Sequence, residues 1–205
     1  MIGILDNGMG NLRSVWNAVY GLGYDPALVE NDTSMDDLTH LILPGVGHFG
    51  SAIRNLEQTG RDATIREFAA SGRPVLGICL GMQLLAGRGT EGGDFEGLGL
   101  IPGVVEAMPG GDGLRLPHVG WNSVHVRHEH PVFRSLKPNR DFYFVHAYHM
   151  ICERDDDWLA ETDYGGAFTC VAGHRNVIGF QFHPEKSQVS GILLLKNFCA
   201  WDGEC

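Results

Sequence analysis

Apolar residues fall into two rhythms along this chain. Short unbroken runs at 1–5, 26–29, 41–43 and 74–78 suit strands buried on both faces. Between them, apolar positions recur at helical spacing. Leu12, Val15, Trp16, Val19 and Tyr20 predict a helix over 12–20 closed by Gly21 and Gly23, and like patterns cover 48–58 and 61–70. Strands alternating with helices indicate a parallel sheet with helices on both faces. The second half changes rhythm. A strand is predicted at 104–108, then alternating or aromatic-rich segments at 120–126, 142–148, 158–159, 167–171 and 177–182 predict antiparallel strands. A closing helix over 189–201 is apolar at Ile192, Leu193, Leu195 and Phe198. The stretch 87–97, rich in Gly, Glu and Asp, reads as a surface loop, and 109–113 as a turn. No repeat or long linker interrupts the pattern, so residues 1–205 are expected to form a single domain.

One strand-to-helix junction stands out within this pattern. The apolar run led by Pro74 ends in Gly77-Ile78-Cys79-Leu80-Gly81, a G-x-C-x-G sequence that passes into a helix start. This is the cysteine version of a nucleophile elbow, a tight turn that lifts its central side chain above the sheet edge. The flanking glycines allow torsions and close packing that a side chain would block. A thiol before a helix also sits where partial positive charge favours thiolate. A buried structural role is the commoner fate of a lone cysteine; the glycines and the strand before them favour a nucleophile.

A nucleophile needs a base, and the base needs an orienting group. Residues 179–185, Gly-Phe-Gln-Phe-His-Pro-Glu, supply both. Pro184 pushes His183 toward an extended conformation, in which residues two apart share a face. His183 and Glu185 are therefore expected side by side, with the carboxylate fixing the imidazole tautomer. Ligands of such sheets bind at the carboxyl ends of strands, where both Cys79 and the Pro44-Gly45-Val46-Gly47 turn fall. That turn is either an ordinary strand-to-helix connection or a backbone oxyanion site.

Composition narrows the field. With 205 residues, 43% of them hydrophobic, the chain has material for a sizeable core. A net charge of −10 argues against nucleic acid. No apolar stretch reaches membrane-span length, and residues 1–5 enter a strand pattern with no charged n-region of a secretory signal. The five cysteines (79, 152, 170, 199 and 205) match neither a disulfide framework nor a zinc site. Scattered thiols suit a reducing, cytoplasmic compartment. His125, His128 and His130 lie close together, but no ligand spacing supports them, so they read as solvated and no metal is expected. The loop at 7–11 lacks the full G-x-G-x-x-G spacing, so no dinucleotide or other cofactor is expected.

The Cys79 segment through Gln83, taken with His183-Pro184-Glu185, resembles the class I (triad) glutamine amidotransferases. Four further stretches, at 6–11, 44–47, 117–122 and 143–149, narrow the resemblance to the glutaminase subunits of imidazole glycerol phosphate synthase. It runs from the first strand to nearly the last residue. It implies a flavodoxin-like α/β fold, with a mostly parallel central sheet and an antiparallel extension. It implies Cys79, His183 and Glu185 as the catalytic triad, and backbone N–H groups of Val46 and Leu80 as oxyanion donors. Gly45, Gly47, Gln83, Val145, His146 and Tyr148 would surround L-glutamine. Asn11, Trp121 and Lys186 would face a partner, the (β/α)8 barrel cyclase of a heterodimer in histidine biosynthesis that receives the ammonia. Two positions depart from the family pattern: Leu116, where a small β-branched residue is common, and Ala147, where a hydroxyl is common. Alternatives are another triad amidotransferase, such as the pyridoxal phosphate-forming type, and a cysteine peptidase or binding protein on the same fold. The 117–122 segment and Lys186 argue against the first. Finally, glycines on both sides of Val46 make a peptide-plane reorientation sterically possible, which would let one oxyanion donor point away at rest. Gly45 replaced by a β-branched residue would test this.

Overall fold

The computed structural model describes residues 1–6, 12–30, 33–111, 113–138 and 140–204. The expected turn at 7–11, with Asn11, lies outside the described residues. In chain order the elements are β1 (Ile2–Leu5), α1 (Leu12–Gly21), β2 (Pro26–Val29), β3 (His40–Gly45), α2 (Phe49–Gln58), α3 (Arg61–Ala70), β4 (Val75–Cys79) and α4 (Leu80–Leu84). There follow β5 (Ala86–Gly89), β6 (Phe95–Glu96), β7 (Ile101–Ala107), β8 (His118–Val126), β9 (Arg140–His146) and β10 (Tyr148–Cys152). The chain closes with β11 (Trp158–Asp163), β12 (Ala167–His174), β13 (Val177–Phe180) and α5 (Gln188–Ala200). The strands join in one sheet of order β2-β1-β3-β4-β13-β12-β10-β7-β5-β6, and β11 leads from β12 to β8 and β9.

Strand alternation divides the core between two helical layers. Leu41 and Leu43 of β3 pack with Phe49, Ile53 and Leu56 of α2 and with Ile65 and Phe68 of α3. Ile42, between them, packs on the opposite side with Val15 and Val19 of α1 and Leu194, Leu195 and Phe198 of α5. A strand buried on both faces needs apolar residues at every position, which is why the runs are unbroken. The α/β class and the helices on both faces are as expected.

Three strand expectations need correction. β13 does not continue the antiparallel series: it pairs antiparallel with β12 but parallel with β4. A two-residue turn, Arg175–Asn176, folds β13 back, and Arg175 takes the positive φ of 54° that such hairpins need. The Asn176 side chain then donates to the carbonyls of Ala69 and Arg73, and the Asn176 backbone carbonyl accepts from Val75 N–H. These contacts hold the hairpin against the start of β4. Second, the stretch 87–97 is not simply a loop. β5 runs parallel to β7 and pairs with β6, and Gly89 packs against Phe49 so closely that a Cβ would lie 2.5 Å from its ring. Third, residues 149–152 extend a strand, β10, that the alternation did not reveal beyond Tyr148.

The topology brings three carboxyl ends together. Gly45 at the end of β3 is the register partner of Cys79 at the end of β4. Phe180 at the end of β13 is the partner of Ile78, so the chain leads from there to His183 beside the same edge.

Candidate active site

Cys79 sits between β4 and α4 at φ 55°, ψ −110°. A non-glycine residue at positive φ with this ψ lies outside the ordinary allowed wells, a strain that persists only where the surroundings impose it. The glycines supply the surroundings. A Cβ on Gly77 would lie 2.5 Å from Gly81 O, and one on Gly81 would lie 1.7 Å from Leu43 O. They let α4 press against β3 and β4, whereas the unusual torsion falls on the cysteine itself. Sequence reasoning assigned torsion and packing together to the glycines; only packing is theirs.

His183 is held from several directions. Its backbone N–H donates to Tyr143 O at 2.9 Å, and the Ser187 hydroxyl donates to its carbonyl at 2.6 Å while accepting from Tyr143 N–H at 3.0 Å. Nδ1–H donates to Glu185 Oε1 at 2.8 Å, with both side chains buried. The two groups meet as expected, by a different route. Residues Pro184–Lys186 form a 3₁₀ turn, which swings Glu185 back under the ring. Burial pulls the His183 pKa down, but the neighbouring Cys79 sulfur and then the Glu185 carboxylate outweigh it and raise the pKa to about 9. Burial pushes the Cys152 and Cys199 thiols up to about 12 and Cys170 well above its ordinary value. They are inert packing groups.

Cys79 opens on a cavity of about 190 Å³ lined by Val46, Gly47, Leu80, Gln83, Glu91, Val145, His146, Ala147 and Tyr148. Every residue expected around glutamine is thus on its wall except Gly45, which lies under it. A Cβ on Gly45 would lie 3.1 Å from Leu80 Cβ and 3.2 Å from Gly81 N. A β-branched residue there would therefore crowd the elbow, so the substitution does not isolate strand reorientation. Gly47, at φ 110°, is the position whose torsion requires glycine. The Val145 carbonyl lies 3.7 Å from Cys79 Sγ. Leu80 opens α4, so its N–H is among the donors that a helix start leaves without an intrahelical partner.

Two further groups, one behind the cavity wall and one on it, escaped the sequence. Gln181 is fully buried; its Oε1 accepts from Gln83 Nε2 at 3.2 Å, and its Nε2 lies 4.0 Å from Cys79 Sγ. Its signal was present, since Gln181 is two residues before His183 on an extended segment and an amide amid aromatics in a buried run is unusual. Glu91 lay in the stretch read as a loop; its Oε2 accepts from Phe49 N–H at 2.6 Å. A larger groove of about 1070 Å³, between the end of β8 and the end of α5, contains none of the candidates from Cys79 to Lys186. His130 borders that groove but is not simply solvated: it caps the following 3₁₀ turn by accepting from Val132 N–H, and its ring meets Trp201 edge-on. Among the described residues, no group of three or more metal-type side chains is placed to hold an ion.

On the outer surface, Trp121 and Tyr143 are register partners of β8 and β9 with rings edge-to-face at 5.9 Å, and Lys186 Nζ lies 5.8 Å above the Tyr143 ring. Trp121 is 49% exposed and Val119 is 55% exposed. Among the described residues no helix is long and apolar enough to cross a membrane.

A strained cysteine over a strand edge, with a buried imidazole–carboxylate pair beside it, can attack a carbonyl and move the proton involved. The class is independently clear: the chain belongs to the glutamine amidotransferase class-I family, whose model matches residues 3–200. The relatives carry a more particular name. Over 195 residues the chain is 47% identical to imidazole glycerol phosphate synthase subunit HisH of Symbiobacterium thermophilum, spanning 95% of this chain and 91% of that protein. It is 45% identical over 201 residues to the HisH subunit of Sulfurimonas denitrificans, spanning 97% of each. Among solved structures, PurLQS from Thermotoga maritima has a likeness of fold at TM-score 0.75 and 18% identity, over 97% of both chains.

Proposed function

We propose that this chain is the glutaminase subunit of an imidazole glycerol phosphate synthase, with residues 1–205 acting as one domain. The observation that carries the chemistry is Cys79, strained at the mouth of a small cavity, on one sheet edge with the buried His183–Glu185 pair whose Nδ1–Oε1 distance is 2.8 Å. The cavity is smaller than the roughly 300–1,000 Å³ usual for drug-sized ligands, and suits a single amino acid better than a peptide chain. Cys79 Sγ attacks the side-chain carbonyl carbon of glutamine, and His183 holds the thiol proton. The N–H groups of Val46 and Leu80 receive the oxyanion. His183 then returns the proton to the departing nitrogen, and ammonia leaves a γ-glutamyl thioester. Water, deprotonated by His183, attacks the thioester; the thiolate departs and takes up the proton, releasing glutamate. Glu185 fixes the tautomer and opposes the imidazolium charge.

Ammonia released to water would be protonated and diluted, so the reaction calls for an acceptor site. The relatives' names describe them as subunits, which supports a partner. The partner named by this reading is the (β/α)8 barrel cyclase, in the cytoplasm, docked over Trp121, Tyr143 and Lys186. The test is co-purification with that cyclase and a glutaminase assay with and without it. Glutamine hydrolysis that rises on addition of the cyclase and its ligand supports the proposal. No association, or no hydrolysis in the complex, rejects it.

A further inference from the structure

His118 and His146 are a buried pair that takes no part in the proton transfers of the reaction. They are register partners across β8 and β9, and their rings meet with His118 Nδ1 3.1 Å from His146 Nε2. His118 stacks on Tyr164 at 3.9 Å and on Phe144 at 4.9 Å, and both histidines contact the Phe168 ring. His146 Nδ1 lies 2.9 Å from Tyr148 O. A carbonyl can only accept, so this nitrogen carries a proton. Burial pushes the His146 pKa down to about 3 and that of His118 to about 4, so each ring holds one proton at neutral pH. His146 Nε2 is then a lone pair, and the proton between the rings belongs to His118 Nδ1. Both tautomers follow: His118 donates to His146, and His146 donates to Tyr148 O.

The same carbonyl accepts from Gln83 at 2.9 Å. The argument used for His146 applies again, so the atom facing Tyr148 O must be Nε2. Gln83 Nε2 also reaches Gln181 Oε1, which leaves Oε1 as the polar atom of this carboxamide not spent on the frame. A cavity-wall acceptor of fixed orientation suits the α-ammonium of an amino acid.

Resting on the glutaminase reading above, we infer that His118 and His146 are positioning residues for substrate binding: through Tyr148 O they fix the carboxamide of Gln83 and so set the affinity for glutamine. The pair begins three residues from Trp121, so the same β8 edge that carries the exposed aromatic also anchors the cavity wall.

The test compares His118→Phe, which keeps the stacked ring and removes the donor, with His118→Asn, whose amide nitrogen can stand in for Nδ1–H. Both are assayed as the complex with the cyclase. We expect His118→Phe to raise KM for glutamine about tenfold, the worth of one hydrogen bond to a charged group, with kcat within about twofold, and His118→Asn to restore most of the affinity. A merely structural role would lower the melting temperature without separating KM from kcat or distinguishing the two variants. Nitrogen-15 NMR of the parent chain gives a readout independent of folding variants: both rings should be neutral Nδ1–H tautomers at pH 7. An unmoved KM in a folded His118→Phe, or an Nε2–H tautomer on either ring, overturns the inference. If the parent complex fails to hydrolyse glutamine, the reading beneath it falls instead.

Discussion

Two buried histidine environments, His183 and the His118–His146 pair, lie close enough that His183 lowers the proton affinity of His146, yet their own proton affinities move in opposite directions. His183 rises to about 9; His146 falls to about 3 and His118 to about 4. Burial acts on all three in the same sense, against the imidazolium. What differs is the neighbour. His183 faces a sulfur and a carboxylate, so a positive ring is compensated. The pair faces a carbonyl, aromatic rings and one another, and a positive ring there has no opposite charge. A buried imidazole thus becomes a proton carrier or a fixed neutral dipole according to whether an anion is buried with it.

Removing the sulfur should break this contrast with the largest effect. Cys79→Ala is expected to lower glutamine turnover by about 10⁶-fold or more, while synthesis from added ammonium salts continues. The same variant removes the strongest influence raising the His183 pKa, leaving burial opposed only by Glu185. Histidine titration by NMR should then find the His183 pKa lowered from about 9. Retained glutamine turnover would refute the nucleophile assignment.

His183→Ala and Glu185→Gln come next, and they should not be equal. The base transfers protons in both half-reactions, so its loss is expected to cost about 10⁶-fold in kcat. Glu185→Gln keeps a polar partner for Nδ1 but removes the charge, with an expected loss of about 10⁴-fold and a lowered His183 pKa. Rate measurements on the purified complexes that place Glu185→Gln below His183→Ala would reverse the assigned roles.

A milder intervention acts on the frame. Gly47→Ala adds a methyl group at a position whose φ of 110° L-residues rarely adopt. It should cost on the order of 1 kcal/mol in stability and lower kcat by about tenfold or more through a displaced oxyanion strand. Measuring urea unfolding beside kcat separates the two, and a normal kcat would remove Val46 from the oxyanion role.

The sequence made one of the two histidine environments legible and concealed the other. Cys79, His183 and Glu185 could be found because each sits in a short motif whose residues act on their neighbours in the chain. His146 was named only through family resemblance, and its bond to His118 spans 28 residues. Cross-strand register creates that contact, and no local spacing encodes register. Gln181 was legible in principle, being in phase with His183. Glu91 was not: Gly and acidic residues at 87–97 look like solvent-exposed loop, although β5 and β6 fold them onto the sheet beside Phe49. The parallel half of the sheet was read well because burial on both faces leaves unbroken apolar runs. The direction of β13 was missed because direction comes from the Arg175–Asn176 turn and the contacts of the Asn176 side chain, not from the strand's own residues.

The smallest expected effect is the dependence of stability on pH, where the two environments should give limbs of opposite slope. The His183 pKa is raised above the ordinary 6.5. The folded state therefore binds its proton more tightly than the unfolded chain, and the resulting stabilisation is complete below 6.5 and lost as pH rises through about 9. The pKa values of His118 and His146 are depressed, so the unfolded chain binds their protons first. Their contribution is present above 6.5 and disappears as pH falls toward about 4 and then about 3. Stability should peak near neutral pH, with other buried groups such as His130, lowered to about 4, adding to the acid limb. Urea unfolding of the variants assigns the limbs. Cys79→Ala should flatten the alkaline side alone, because it removes the interaction that makes His183 bind its proton tightly. His118→Phe should flatten part of the acid side alone, because a phenyl ring takes up no proton in either state. If His118→Phe instead left the acid limb intact and changed the alkaline one, the two histidine environments would be titrating as one unit, and the contrast between them would have to be given up.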